Sequence, residues 1–179
     1  MTTAARPLDV LPPTTSPSTE PLVLTQDDIR RLLPMYKPEA VFMREAVLRD
    51  GKLEAVFDTF DHPFSAEAPR HVTREHAVVF ITQAAYVLTS LMATRTGQLP
   101  LTLSRFWELA LAEQVVFTRM HLDFHRLIRN RHGINLELWC ERHRVLWQKI
   151  HGRLRFAFPE GCSGYCDAVI ALDASLNCR

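Results

Sequence analysis

Residues 73–95 hold the strongest pattern in the chain. Ala77, Phe80, Ile81, Ala84, Ala85, Leu88 and Met92 recur at helical spacing and form a broad apolar stripe. Thr73 stands where an N-cap is needed, which predicts a helix of about 20 residues from Thr73 to roughly Arg95. A helix this apolar must be covered on most of its circumference, and the small pair Ala84 and Ala85 suits close packing against a sheet. Thr82 and Gln83 interrupt the run, as Glu108 and Glu113 interrupt Phe106–Phe117. Neither stretch reads as a clean bilayer span, so no membrane partner is expected.

What flanks the helix supplies the sheet. Residues 1–24, rich in Pro, Thr and Ser, read as a flexible leader, and 25–179 as a single domain. Thr25 with Asp27 and Asp28 opens a short helix bearing Ile29, Leu32 and Leu33, which Pro34 and Pro38 end. Asp50-Gly51 between Ala40–Leu48 and Leu53–Phe60 signals a hairpin. After the long helix, Ser104 caps a second helix to about Gln114. Strands follow at Val115–Ile128, Asn135–Glu141, Val145–Phe158 and Tyr165–Leu172. This order predicts an α+β protein, with a curled antiparallel sheet wrapped around one long central helix.

Composition removes several classes of function. A net charge of +1 argues against a nucleic-acid partner. Six glycines, with no GxGxxG or GxxxxGK[ST], leave no phosphate loop. The four cysteines, at 140, 162, 166 and 178, are unevenly spaced and suit free thiols in a cytoplasmic protein. There is no GxSxG, and no cysteine stands in an activating context.

Two strand–turn–strand units about one apolar helix resemble the hotdog fold. That resemblance implies an acyl thioester beside the helix N-terminus, where backbone amides receive a developing oxyanion. The relevant residues run from His71 to Tyr86. His71 precedes the cap and His76 lies in the first turn. Gln83 and Tyr86 share a helix face with His76, making a polar line on an apolar helix. Such a line suits a base with carbonyl-orienting donors. It equally suits a solvated His76 with Gln83 and Tyr86 in ordinary interface hydrogen bonds. His121, Asp123 and His125 face one way on a strand; on a helix the two histidines would be a zinc-competent i, i+4 pair. A strand is expected there. Cys162 and Cys166 have no second pair, and neither a metal nor a cofactor is expected. Arg126, Arg129 and Arg131 suit a phosphopantetheine or carrier-protein surface, or a solvated turn.

Leu33-Pro34-Met35-Tyr36, the string from His71 to Tyr86, and Arg119 through Cys140 resemble the FcoT-type hotdog acyl thioesterases. The resemblance implies long-chain acyl-CoA or acyl-carrier-protein substrates. It extends to relatives that add glycine to the β-carbon of α,β-unsaturated acyl thioesters in β-amino-acid macrolactam and isonitrile lipopeptide biosynthesis. Tyr36, His71, Gln83 and Tyr86 match as they stand. Thr73 and Thr82 occupy positions where the plain thioesterase has asparagines, and Ser65 or its neighbour one where it has a tyrosine. These departures point to the glycine-adding subgroup, followed by hydrolysis to an N-carboxymethyl-β-amino acid. The candidate catalytic residues are His71, His76 and Tyr36, His76 from its place in the first turn. The candidate substrate-binding residues are Thr73, Thr82, Gln83 and Tyr86, with Arg74 or Arg70 the nearest cation for glycine's carboxylate. Plain thioester hydrolysis, enoyl hydration and non-catalytic acyl binding are the rival expectations. A homodimer or larger homo-oligomer, paired through edge strands, is expected.

Overall fold

The computed structural model describes residues 20–61, 71–95, 97–129 and 132–172. Seven strands form one antiparallel sheet in the order β1-β2-β3-β5-β6-β7-β4. They are β1 (Leu22–Leu24), β2 (Met43–Arg49), β3 (Lys52–Phe57), β4 (Val115–Phe124), β5 (Ile134–Leu146), β6 (Lys149–Phe158) and β7 (Cys162–Ala171). The helices are α1 (Gln26–Leu32), α2 (Arg74–Thr94) and α3 (Leu103–Leu111), with a 3-10 turn at Pro38–Ala40. The sheet curls about α2, as expected for an α+β chain.

Local chemistry explains most boundaries. Thr25 caps α1 through a reciprocal bond with Asp28. Asp50 and Gly51, at φ 49° and 75°, make the tight turn that joins β2 to β3. Trp147 and Gln148, at φ 51° and 56°, do the same between β5 and β6. Sequence alone misses this second turn because neither residue is a usual left-handed one, so it breaks the strands near 142–144. Gly164 lies where β4 and β7 cross closely: a Cβ there would run into the His121 carbonyl oxygen and meet the Phe156 ring at 2.7 Å.

Other boundaries move. Leu22–Leu24 belong to the sheet, paired with Ala46–Leu48, because three alternating residues suffice to extend a paired edge. The cap of α3 is Thr102, which accepts from the Arg105 N–H, so Ser104 falls inside the first turn. Strand β4 stops at Phe124. One extra residue in β5, between Cys140 and Arg142, makes a bulge: Cys140 pairs with Leu154 but Arg142 with Arg153.

The core forms between α2 and the inner sheet face. Phe57 and Phe80, both fully buried, stack at 4.6 Å. Helix α2 also packs on β2, β3 and β5, and on α1 and α3. By length and composition its 21 residues are long and apolar enough to cross a bilayer, since Thr82 and Gln83 carry no charge. Here the sheet and the neighbouring helices cover most of that surface.

Candidate active site

The first turn of α2 is tied to Phe60, three residues past the end of β3. Thr73 caps α2, and His76 replaces the usual acidic residue in the reciprocal cap. The Thr73 N–H donates to His76 Nδ1 at 3.1 Å, and Thr73 Oγ1 lies 2.9 Å from the same nitrogen. The ring proton therefore belongs on Nε2, which donates to the Phe60 carbonyl at 2.8 Å. His76 is fully buried, with the Phe60 ring 4.5 Å away. Both of its nitrogens are engaged by the backbone.

His71 is placed differently. It is half-buried and forms no hydrogen bond among the described residues. Its neighbour Val72 is buried, and the Val72 N–H donates to the Ile128 carbonyl at 2.8 Å. That bond pins the segment entering α2 to the chain that follows β4. Arg74, the first helical residue, is exposed and has no ion pair among the described residues.

Farther along α2 the polar side chains divide in the same way. Gln83 is fully buried; its Nε2 donates to the Ala40 carbonyl at 2.6 Å, and its Oε1 accepts the Phe42 N–H at 3.1 Å. It fastens the 3-10 turn and the start of β2 to the helix. The Thr82 hydroxyl donates to the Val78 carbonyl at 2.7 Å, one turn back in the same helix. Tyr36 and Tyr86 meet edge-to-face at 6.3 Å, and neither hydroxyl has a hydrogen-bond partner among the described residues. Burial, and then the neighbouring Tyr86, push the Tyr36 phenol up to about 12; burial alone raises Tyr86. Both are neutral donors at any physiological pH.

The chain thus gathers His71, Thr73, Arg74 and His76 around the start of α2. Gln83, Tyr86 and Tyr36 stand farther down, Tyr86 about 15 Å along the axis from His76 at the helical rise per residue. Sequence patterning did not single out Phe60 or Ile128, whose carbonyls fix His76 and Val72; backbone acceptors distant in sequence leave no local mark. Ser65 and Arg70 lie outside the described residues. His121 stacks on Tyr165 at 5.5 Å across strands, while His125, past the end of β4, meets Ser163 Oγ at 3.2 Å. Cys162 and Cys166 are free thiols that burial pushes up to about 11 and about 12. Among the described residues no group of three or more His, Cys, Asp or Glu is placed to hold a metal ion. A void of about 30 Å3 lies at the far end of α2, beside Thr89 and Met92, and a cleft of about 360 Å3 opens on the outer sheet face.

No protein-family model matches the chain, and no curated protein matches it in sequence. Solved structures do resemble it. GphF dehydratase 1 is 13% identical over 87% of this chain and 53% of its own, with a TM-score of 0.53. The dehydratase domain of PpsC from Mycobacterium tuberculosis, solved with C12:1-CoA, is 16% identical over 87% and 54%, at 0.47. A mutant thioesterase from Pseudomonas aeruginosa is 12% identical over 81% and 93%, at 0.46. The chain spans about half the length of the two dehydratase chains. At these identities the likeness concerns backbone architecture: the curled seven-stranded sheet around α2 is a hotdog fold.

Proposed function

We propose that the protein is an acyl-thioester enzyme that adds glycine to the β-carbon of an α,β-unsaturated acyl thioester. It then hydrolyses the thioester to release an N-carboxymethyl-β-amino acid. The observation that carries this reading is His71: a half-buried histidine without a hydrogen-bond partner among the described residues, two positions before the cap of α2. A neutral imidazole with a free lone pair can take the proton that glycine's ammonium must lose before it attacks. Attack forms a C–N bond and an enolate on the thioester oxygen. Backbone N–H groups in the first turn of α2, reinforced by the helix dipole, stabilise that charge. Arg74, exposed and without an ion pair among the described residues, takes the glycine carboxylate. The imidazolium of His71 returns its proton to the α-carbon as the enolate collapses, which completes the β-amino thioester and restores the neutral base. Water then uses that base to cleave the thioester into carboxylate and free thiol, with no covalent enzyme intermediate.

In this reading His76 is a positioning residue, because both of its nitrogens already serve the backbone that holds Thr73 and Phe60. Gln83 and Thr82 shape the site through the helix they secure. The neutral hydroxyls of Tyr36 and Tyr86 flank the path of the acyl chain and supply its polar contacts. The acyl group arrives on coenzyme A or an acyl carrier protein. The functional unit is a homodimer or larger homo-oligomer joined through β4, a ten-residue sheet edge on which Val116 and Phe124 are exposed.

The test incubates the protein with an enoyl thioester, with and without glycine, and follows free thiol and adduct mass. Glycine-dependent adduct and thiol release are expected. Thiol release independent of glycine would make it a plain thioesterase. Hydration of the double bond alone would make it a dehydratase-type enzyme. Tight acyl binding without product would make it a binding protein.

A further inference from the structure

The outer face of the sheet, turned away from α2, carries a concentration of positive charge that the thioester reading does not use. The β5 bulge places Arg142 and Arg144 opposite Arg153 and His151. On β4, Arg119 pairs across to Asp167 of β7. Asp167 holds Arg153 with a two-pronged bond, Nε to Oδ1 at 2.6 Å and Nη2 to Oδ2 at 2.9 Å. The Arg153 guanidinium also lies 4.4 Å over the Tyr165 ring. Arg153 is therefore fixed from two sides. The bond from Arg153 holds the Asp167 carboxyl below its ordinary value against the opposing effect of burial, aided by the charges of Arg153, Arg119 and Arg142.

Asp167 thus faces three guanidiniums, with a fourth, Arg144, alongside. The other carboxylate acting on Arg153, Glu141, is held by Arg155 at 3.0 Å. Arg142 and Arg144 are exposed and form no ion pair among the described residues. The whole chain has a net charge of only +1, so this is a local excess rather than part of a general surplus. It surrounds a cleft of about 360 Å3, recessed over Gly152 and Ala168, where the floor carries little side-chain bulk. That volume suits a small molecule, whereas a bilayer or a flat protein face would not need a recess. Guanidiniums in this number suit a phosphoryl group, whose several oxygens accept two-pronged bonds from more than one arginine.

We infer that this cleft binds a phosphorylated small molecule through its phosphate or pyrophosphate oxygens, with Arg142 and Arg144 as the direct contacts and Arg153 as the fixed wall. The site lies on the opposite sheet face from the α2 residues, so it stands whether or not the thioester reading does.

Calorimetric titration of the full chain at low salt with inorganic pyrophosphate, and separately with ADP, tests it. Saturable binding of pyrophosphate is expected. It should weaken about tenfold in Arg142→Ala and again in Arg144→Ala, each losing one charge-assisted contact. Arg31→Ala on α1, equally exposed but remote, should bind as the parent does. ADP binding as tightly as pyrophosphate identifies a diphosphate ester as the ligand, and pyrophosphate alone identifies the inorganic anion; both support the cleft. Unfolding curves of the arginine variants should match the parent, since both side chains lie outside the core. Absence of saturable binding overturns the inference, as does equal loss in Arg31→Ala. Binding to phosphatidylserine vesicles without binding to pyrophosphate also overturns it, in favour of a lipid surface.

Discussion

His71 and His76 stand five residues apart, one before the start of α2 and one inside its first turn, yet their surroundings are opposite. His76 is fully buried, and each nitrogen meets the backbone. His71 is half-buried, with no hydrogen bond among the described residues. The contrast teaches that a polar residue on an apolar helix is not thereby a reactive one. In a packed interior a polar group is retained when it is satisfied, and satisfaction removes the lone pair that a base needs. Gln83 repeats the His76 case, with its amide wholly engaged by Ala40 and Phe42.

Substitutions can break this contrast. The largest effect is expected from His71→Ala: on the proposed reaction kcat/KM falls by about 10²–10⁴-fold, the usual range for a lost general base, with thermal unfolding unchanged. Full activity in this variant and in His76→Ala would remove both histidines as bases. His76→Ala should instead lower stability by about 2–4 kcal/mol, because it strands the buried Thr73 N–H and Phe60 carbonyl; urea unfolding measures it. Gln83→Leu, which orphans two backbone groups at once, should cost about 2–3 kcal/mol and loosen the Ala40–Phe42 segment to hydrogen exchange. Thr73→Ala, a lost cap, should cost about 1 kcal/mol.

The smallest effect is electrostatic. Asp167 and Asp58 both titrate below the ordinary 3.8. For Asp167 the bond from Arg153 dominates. For Asp58, burial acts upward but is outweighed by bonds from the Gly133 N–H, His132 and Arg44. A carboxyl with a depressed folded value stabilises the fold above its unfolded pKa, and that contribution is lost as pH falls through the folded value. Stability should therefore decline as pH drops below about 4. Asp167→Asn should flatten that acid limb when unfolding midpoints are followed against pH.

Much of the fold was legible because its signals are local. The stripe from Ala77 to Met92, the caps Thr25 and Thr73, and Asp50-Gly51 each work over a few residues. The β5–β6 turn was not, since Trp147 and Gln148 take left-handed conformations that tertiary pairing imposes on them. The spacing of His76, Gln83 and Tyr86 correctly placed them on one helix face. It said nothing of the Phe60, Ala40 and Phe42 backbone groups that engage two of them. Nor did it locate Tyr36 against Tyr86, a contact between segments fifty residues apart.

The extra residue in β5 sets how that strand is read by its surroundings. Leu136 and Leu138 turn toward the helix, and continued alternation would send Arg142 and Arg144 the same way, into the apolar interior. The bulge inverts the alternation midway, so one continuous strand lines the core with its first half and arms the opposite surface with its second. Chain length here acts as a frame. Removing Glu141 would set Arg142 directly after Cys140 in unbroken alternation and keep Arg142 to Leu146 on their present faces, whereas drawing Glu141 into the regular pairing would exchange inside for outside along all of them.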